Sequence, residues 1–208
     1  MEYDTLGVAL RTLRCKILGT TDTRRWSDAQ SFDTEWEQRS VIVAQAISPN
    51  SRVIDFGAGR RTLERYLDRT CTYIPADLAS RGNDTIVVDL NTRPLPDLSS
   101  VGADVGVLAG VIEYIADVPS FCRWLADQLQ TCVVSYGCIE EGASYLQRRR
   151  LDWTRMKSGW RNSFTERELL SIFSAEGFML ARRELWVTET GSECIFKLQQ
   201  DRRDEREV

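Results

Sequence analysis

The chain has 208 residues, 42% of them hydrophobic and 28% charged, a composition that suits one globular domain with a sizeable core. Its formal net charge of −4 argues against nucleic-acid binding through the whole surface, and no apolar run is long enough to mark a transmembrane helix. Histidine is absent, which excludes Ser-His-Asp and Cys-His nucleophile systems and every metal site that needs an imidazole, so no metal site is expected.

The stretch MEYDTLGVAL begins with acids and does not read as a secretory signal. Leu6, Leu10, Leu13 and Ile17 recur at helical spacing, which predicts a helix packing on the core. A polar linker, GTTDTRRWSDAQSF, follows. Asp33 or Thr34 is placed to cap a second helix running to about Ile47, with Trp36, Val41, Val43 and Ala44 among its apolar residues. These pieces form a cap or lid over residues 1–48.

From residue 49 the elements alternate. SRVIDF predicts a strand, Arg60 to Leu67 a helix, CTYIPAD a second strand, DTIVVDL a third and ADVGVLAG a fourth. VPSFCRWLADQL predicts a helix with Pro119 in its first turn, and TCVVSYG a fifth strand. This is the rhythm of a parallel sheet covered by helices on both faces. Continuous apolar strands agree with burial on both sides. A helical insert, about residues 138–163, then breaks the rhythm. SFTERELLSIFSAEGF predicts a helix capped by Thr165 and Glu168 and ended by Gly177. FMLARRELWV and GSECIFKL form a last hairpin around Thr190 and Gly191, giving seven strands with an antiparallel end. The charged tail, 201–208, is expected to be disordered, and the whole to be a single domain with its core at 49–200. None of the six cysteines forms a C-x-x-C pair. Cys71 and Cys132 read as small core residues, a disulfide framework is not expected, and a reducing cytoplasm is the expected compartment.

The glycine turn after the first strand carries the chemistry. Asp55, Gly57, Ala58 and Gly59 let the backbone turn tightly and approach a ligand beyond the carboxyl end of the strand. A dinucleotide fingerprint would need a third glycine where Thr62 stands, and no phosphate loop of the G-x-x-x-x-G-K-[ST] type is present. Asp77 ends the second strand, 22 residues after Asp55, and Asp89 ends the third. An ionised carboxylate only accepts hydrogen bonds, so either can take them from hydroxyls or an amine.

The D-x-G-x-G of Asp55–Gly59, the two acids, GVIEYIAD after the fourth strand and the late TERELLSIFSAEGF resemble class I S-adenosylmethionine-dependent methyltransferases, in a small bacterial subgroup of undefined substrate. The resemblance runs from about Val41 to Leu198. It implies a Rossmann-like seven-stranded sheet and S-adenosylmethionine as cofactor. It implies cofactor contacts from Asp55, Gly57, Ala58, Gly59, Asp77, Leu78, Asp89, Leu90, Gly110 and Val111, with Asp77 on the ribose and Asp89 on the adenine amine. Glu113 and Tyr114 follow the fourth strand, where the methyl group would point, and Tyr114 replaces the family's usual histidine. They are the candidates for catalysis. Trp26, Arg39, Tyr136, Trp160 and Arg161 are the candidates for holding the acceptor, with Arg24, Arg25 and Trp26 as a lid.

Plain structural readings stand beside these. Gly57 and Gly59 also suit a simple tight turn, Asp77 and Asp89 strand ends, Glu113 and Tyr114 a helix start, and the arginines of the insert a solvated helix face. The implied function is methylation of oxygen or nitrogen on a small-molecule or glycan acceptor. The competing readings are a catalytically degenerate scaffold or binding partner and, against Thr62, a nicotinamide oxidoreductase. A homodimer is compatible with the sequence, and nucleic acid is not expected as a partner.

Overall fold

The structure is a computed structural model that describes residues 5–27, 36–187 and 191–201. The elements in chain order are α1 (Thr5–Leu18), α2 (Thr23–Ser27), α3 (Trp36–Gln45), β1 (Arg52–Phe56), β2 (Thr72–Asp77), β3 (Ile86–Val87), β4 (Val105–Ala109), α4 (Val118–Gln128), β5 (Thr131–Tyr136), α5 (Tyr145–Lys157), α6 (Glu166–Ala175), β6 (Phe178–Val187) and β7 (Ser192–Gln200). They build one seven-stranded sheet in the order β3-β2-β1-β4-β5-β7-β6. The β1–β2, β1–β4, β2–β3 and β4–β5 pairs are parallel. β7 runs antiparallel to both its neighbours, so it alone is reversed and β6 beyond it points with the rest.

The strands are apolar on both sides because the sheet is covered on both. On one side Ile54, Phe56, Leu108, Val134 and Phe196 pack with Phe121, Cys122 and Leu125 of α4 and with Leu169 and Phe173 of α6. On the other Val53, Val107, Val133 and Ile195 pack with Val43 of α3, Leu63 and Trp186. The caps form as the sequence indicates. Asp117 accepts a hydrogen bond from the Ser120 amide with Pro119 in the first turn of α4, and Thr165 and Glu168 close a capping box on α6. A second capping box, Ser144 with Gln147, starts α5 and was legible in the sequence but not read there.

Five expectations are corrected. Arg60 to Leu67 is not an α-helix. Arg61 sits in the left-handed region at φ 57°, and only a 3-10 turn, Leu63–Arg65, follows. The helical path breaks there, and Arg61 turns to form ion pairs with Glu64 at 2.9 Å and Asp84 at 2.8 Å. The third strand shrinks to Ile86–Val87, because it is an edge strand that pairs only with Ala76 and Asp77. The apolar face of α1 points outward: Leu6 (59% exposed), Leu10 (59%), Leu13 (42%) and Ile17 (75%) meet solvent, while Val8, Ala9 and Thr12 are buried. α1 lies against α5, and its narrower face is the one turned inward. Within the linker, residues 23–27 are helical as α2. Cys132 is buried as expected, whereas Cys71 is half-buried and its thiol donates to the Ser48 carbonyl. Asp33, Thr34, Thr190 and the tail beyond Asp201 lie outside the described residues.

Gly106 in β4 is a site of close packing. A Cβ there would collide with Leu129 Cδ1 and press on Phe56 Cε2 at 3.4 Å. Gly106→Ala is expected to lower stability by about 1–3 kcal/mol, the usual cost of overpacking a core. Urea denaturation checks this, through a lower midpoint at unchanged slope.

Candidate functional site

The carboxyl ends of β1, β2 and β4 open into a cavity of about 170 Å³. Its wall contains Asp55, Gly57, Ala58, Gly59, Asp77, Leu78, Asp89, Leu90, Gly110 and Val111, every residue assigned above to cofactor contact. The N-terminal region adds Thr21, Trp26, Trp36, Arg39 and Ser40, and Tyr114 completes the rim.

Gly57 and Gly59 adopt positive φ, 71° and 52°, so the turn needs residues without a Cβ. Asp77, buried at the end of β2, holds that turn from behind. Its Oδ2 accepts from the Gly59 amide at 2.8 Å, its Oδ1 from the Ala79 amide at 3.0 Å, and Arg81 pairs with Oδ1 at 3.1 Å. A carboxylate offers about four lone-pair sites, so Oδ2 retains room for a ligand hydroxyl. Arg81 also donates to the Trp26 and Ser27 carbonyls, and so fastens α2 beside the cavity. Asp89 Oδ1 accepts from the Thr21 hydroxyl at 2.6 Å and the Asn91 amide at 2.9 Å. Asn91 in turn donates to Thr21 and the Tyr114 carbonyl, and accepts from the Ala116 amide.

An ion-paired arginine also lines the cavity. Arg39 is buried, paired with Glu193 at 3.2 Å, and packed between the rings of Trp36 and Trp186. Its Nε has no hydrogen-bond partner. Gly110 makes room for it: a Cβ at Gly110 would stand 2.6 Å from Arg39 Nη1. Trp26 meets Tyr114 edge-on with centroids 4.4 Å apart, and Arg25 lies over Trp26.

Asp55 is buried, and its carboxylate accepts from the Tyr73 hydroxyl at 2.8 Å. Desolvation lifts its pKa to about 7 against that hydrogen bond, with Asp77 adding to the rise and Arg39 opposing it. Glu113, just behind the rim, is buried with Oε2 unpartnered. Burial and then the nearby Glu193 push its pKa well above the usual carboxylate range.

The remaining candidates fall outside the cavity wall. Glu113 faces the interior behind Tyr114. Tyr136 is fully buried; its hydroxyl donates to Asn162 Oδ1 and accepts from the Phe164 amide. Trp160 stacks under Arg155 and beside Tyr136. Arg161 donates to the Thr20 and Cys15 carbonyls, both at 2.8 Å, tying the insert to the end of α1. Arg148 pairs with Glu168, and Arg155 donates to the Gly137 carbonyl. These side chains hold the insert in place. Tyr73, Arg81, Thr21 and Asn91 were not singled out in the sequence, because what each contacts is brought close only by the fold.

No protein-family model matches the chain, and no curated protein matches its sequence. Solved structures do match its fold. A Nostoc punctiforme PCC 73102 protein described as an O-methyltransferase superposes with a TM-score of 0.65 at 12% identity, over 94% of this chain and 69% of that one. Human N-acetylserotonin methyltransferase in complex with S-adenosylmethionine gives 0.63 at 16%, over 96% and 68%. Burkholderia thailandensis 1,6-didemethyltoxoflavin-N1-methyltransferase, with that compound and S-adenosylhomocysteine bound, gives 0.62 at 14%, over 92% and 88%. The chain has the class I methyltransferase fold. The glycine turn leads into the 3-10 turn Leu63–Arg65 rather than an α-helix, so the turn itself places no α-helix N-terminus at the cavity.

Asp55 provides a test of the cavity's electrostatics. Its native pKa lies above its ordinary 3.8, so its contribution to stability is complete below that value and is lost as pH rises to about 7. Relative to Asp55→Asn, the wild type should therefore lose about 1–4 kcal/mol between pH 4 and pH 8. Urea denaturation at several pH values reads this, and a constant difference would contradict it.

Proposed function

We propose that the protein is an S-adenosylmethionine-dependent methyltransferase acting on the oxygen or nitrogen of a small-molecule acceptor. The observation that carries the reading is the meeting of Asp77, Asp89, the Gly57–Gly59 turn and the buried Arg39 around one cavity. The donor set fits the cofactor. Asp77 Oδ2 has capacity for ribose hydroxyls, Asp89 for the adenine amine, and Leu78, Val88 and Leu90 offer apolar walls for the ring. Arg39 and Arg60 line the cavity where a carboxylate needs a cation. The structural neighbours, whose names specify N-acetylserotonin and 1,6-didemethyltoxoflavin, support a small acceptor over a polymer.

When bound, S-adenosylmethionine supplies a methyl group already activated by the positive sulfonium. The protein's share is therefore orientation: holding the acceptor atom in line and keeping water away. Trp26, Trp36 and Tyr114 supply aromatic surface for the acceptor, with Ser40 as a polar group beside them. Glu113, buried behind the rim with its pKa raised, suits a hydrogen-bonding or packing role better than that of a resting base.

Titration calorimetry tests the reading. S-adenosylhomocysteine is expected to bind and NAD not to bind. Asp77→Asn, checked for folding by circular dichroism, should weaken S-adenosylhomocysteine by about 1–3 kcal/mol. Binding of NAD without S-adenosylhomocysteine would overturn the proposal.

A further inference from the structure

The large apolar side chains that meet solvent are not spread evenly. Of the fourteen among the described residues, five lie on α1 and three, Tyr145, Leu146 and Trp153, on α5. The two helices pack against each other, so these residues border one surface. Cations gather on the same pair. α1 carries Arg11, Arg14 and Lys16 and no acid, and α5 carries five cations against Asp152 alone. The chain as a whole has a net charge of −4, so the rest of it is strongly acidic.

The arrangement on α1 is ordered. Leu6, Leu10, Leu13 and Ile17 form one outward stripe. At about 3.6 residues per turn, Arg14 and Lys16 flank that stripe, one on either side. On α5, Arg149 lies over the Tyr145 ring and Lys157 over the Trp153 ring. Arg14, Lys16, Arg149 and Arg150 are exposed, and no ion pair among the described residues matches their charge. The exposed apolar group on β6 differs. Met179, Leu180, Leu185 and Val187 share that strand with Arg182 and Arg183, and both arginines are neutralised, by Glu184 and Glu166.

An apolar stripe flanked by unmatched cations, with aromatic rings nearby, suits a helix lying in the plane of a bilayer interface. The apolar residues enter the acyl boundary while arginine and lysine extend to the headgroup phosphates. We propose that the α1–α5 surface docks peripherally on a lipid surface that carries anionic headgroups. No helix among the described residues is long and apolar enough to cross a membrane, so the contact would be interfacial. A second copy of the chain fits this surface poorly, because it would set cations against cations. A nucleic acid or an acidic polypeptide would match the cations but leave the leucine stripe without a partner.

Cosedimentation of the full chain with sucrose-loaded vesicles tests the proposal. Vesicles of phosphatidylcholine and phosphatidylglycerol in roughly a two-to-one ratio should bind the protein about tenfold or more tighter than vesicles of phosphatidylcholine alone. Replacing two exposed cations, Arg149→Gln with Arg150→Gln, should weaken binding to the anionic vesicles about twentyfold. Ile17→Ser, which removes an exposed apolar side chain, should weaken it about tenfold. Circular dichroism checks that both variants fold. No binding to the anionic vesicles, or equal binding to both kinds, would overturn the proposal. Anionic binding that Ile17→Ser leaves unchanged would also overturn it, and would mark a surface for acidic polymers instead. The wild-type comparison of the two vesicles decides the question even if a variant folds poorly.

Discussion

The Asp77 carboxylate joins parts of the chain that are far apart in sequence, and the cavity depends on that junction. One oxygen receives the Gly59 amide and so fixes the turn after β1; the other receives Ala79 and Arg81, and so fixes the exit from β2. Arg81 carries the connection to the carbonyls at the end of α2. A buried carboxylate is stable only when its lone pairs are satisfied. Here the groups that satisfy it are the same ones that shape the site. The pre-formed hydrogen bonds restrict Asp77 to one orientation, which is the condition for binding a polyol without first ordering the side chain.

A second layer of bonds holds the N-terminal region over this floor. Thr21 reaches Asp89, Asn91 links Thr21 to the Tyr114 carbonyl, and Arg161 ties the insert to the end of α1. In the insert, Arg148, Arg155 and Arg161 serve as such ties. Arg39 is the exception among the basic candidates. It is buried at the cavity and held by Glu193 from the reversed strand β7, so the C-terminal hairpin, far away in sequence, helps to position this arginine.

Much of the fold was legible because its signals are local. The capping box at Thr165, Pro119 in the first turn of α4, the glycine turn and the acids at strand ends each need only a few neighbouring residues. The wall of the cavity was legible for the same reason: in a parallel sheet, residues at successive strand ends converge without further information. What failed depended on partners. Arg61 abandons the helical path to pair with Glu64 and Asp84, and Asp84 is 23 residues away. The apolar stripe of α1 gave its period correctly but not its direction, because the face turned inward is decided by packing against α5. Tyr136 ends a strand that points at the site, yet its hydroxyl is taken by Asn162 and Phe164, two residues that the insert brings back.

The account stands on the cavity between Asp77, Asp89 and Arg39 being the place where S-adenosylmethionine is held. A crystal structure grown with S-adenosylhomocysteine tests it most directly. It should show the ribose hydroxyls on Asp77, the adenine beside Asp89 and Leu90, and the carboxylate turned towards Arg39 or Arg60. A ligand bound elsewhere, or one whose ribose makes no contact with Asp77, would contradict the account.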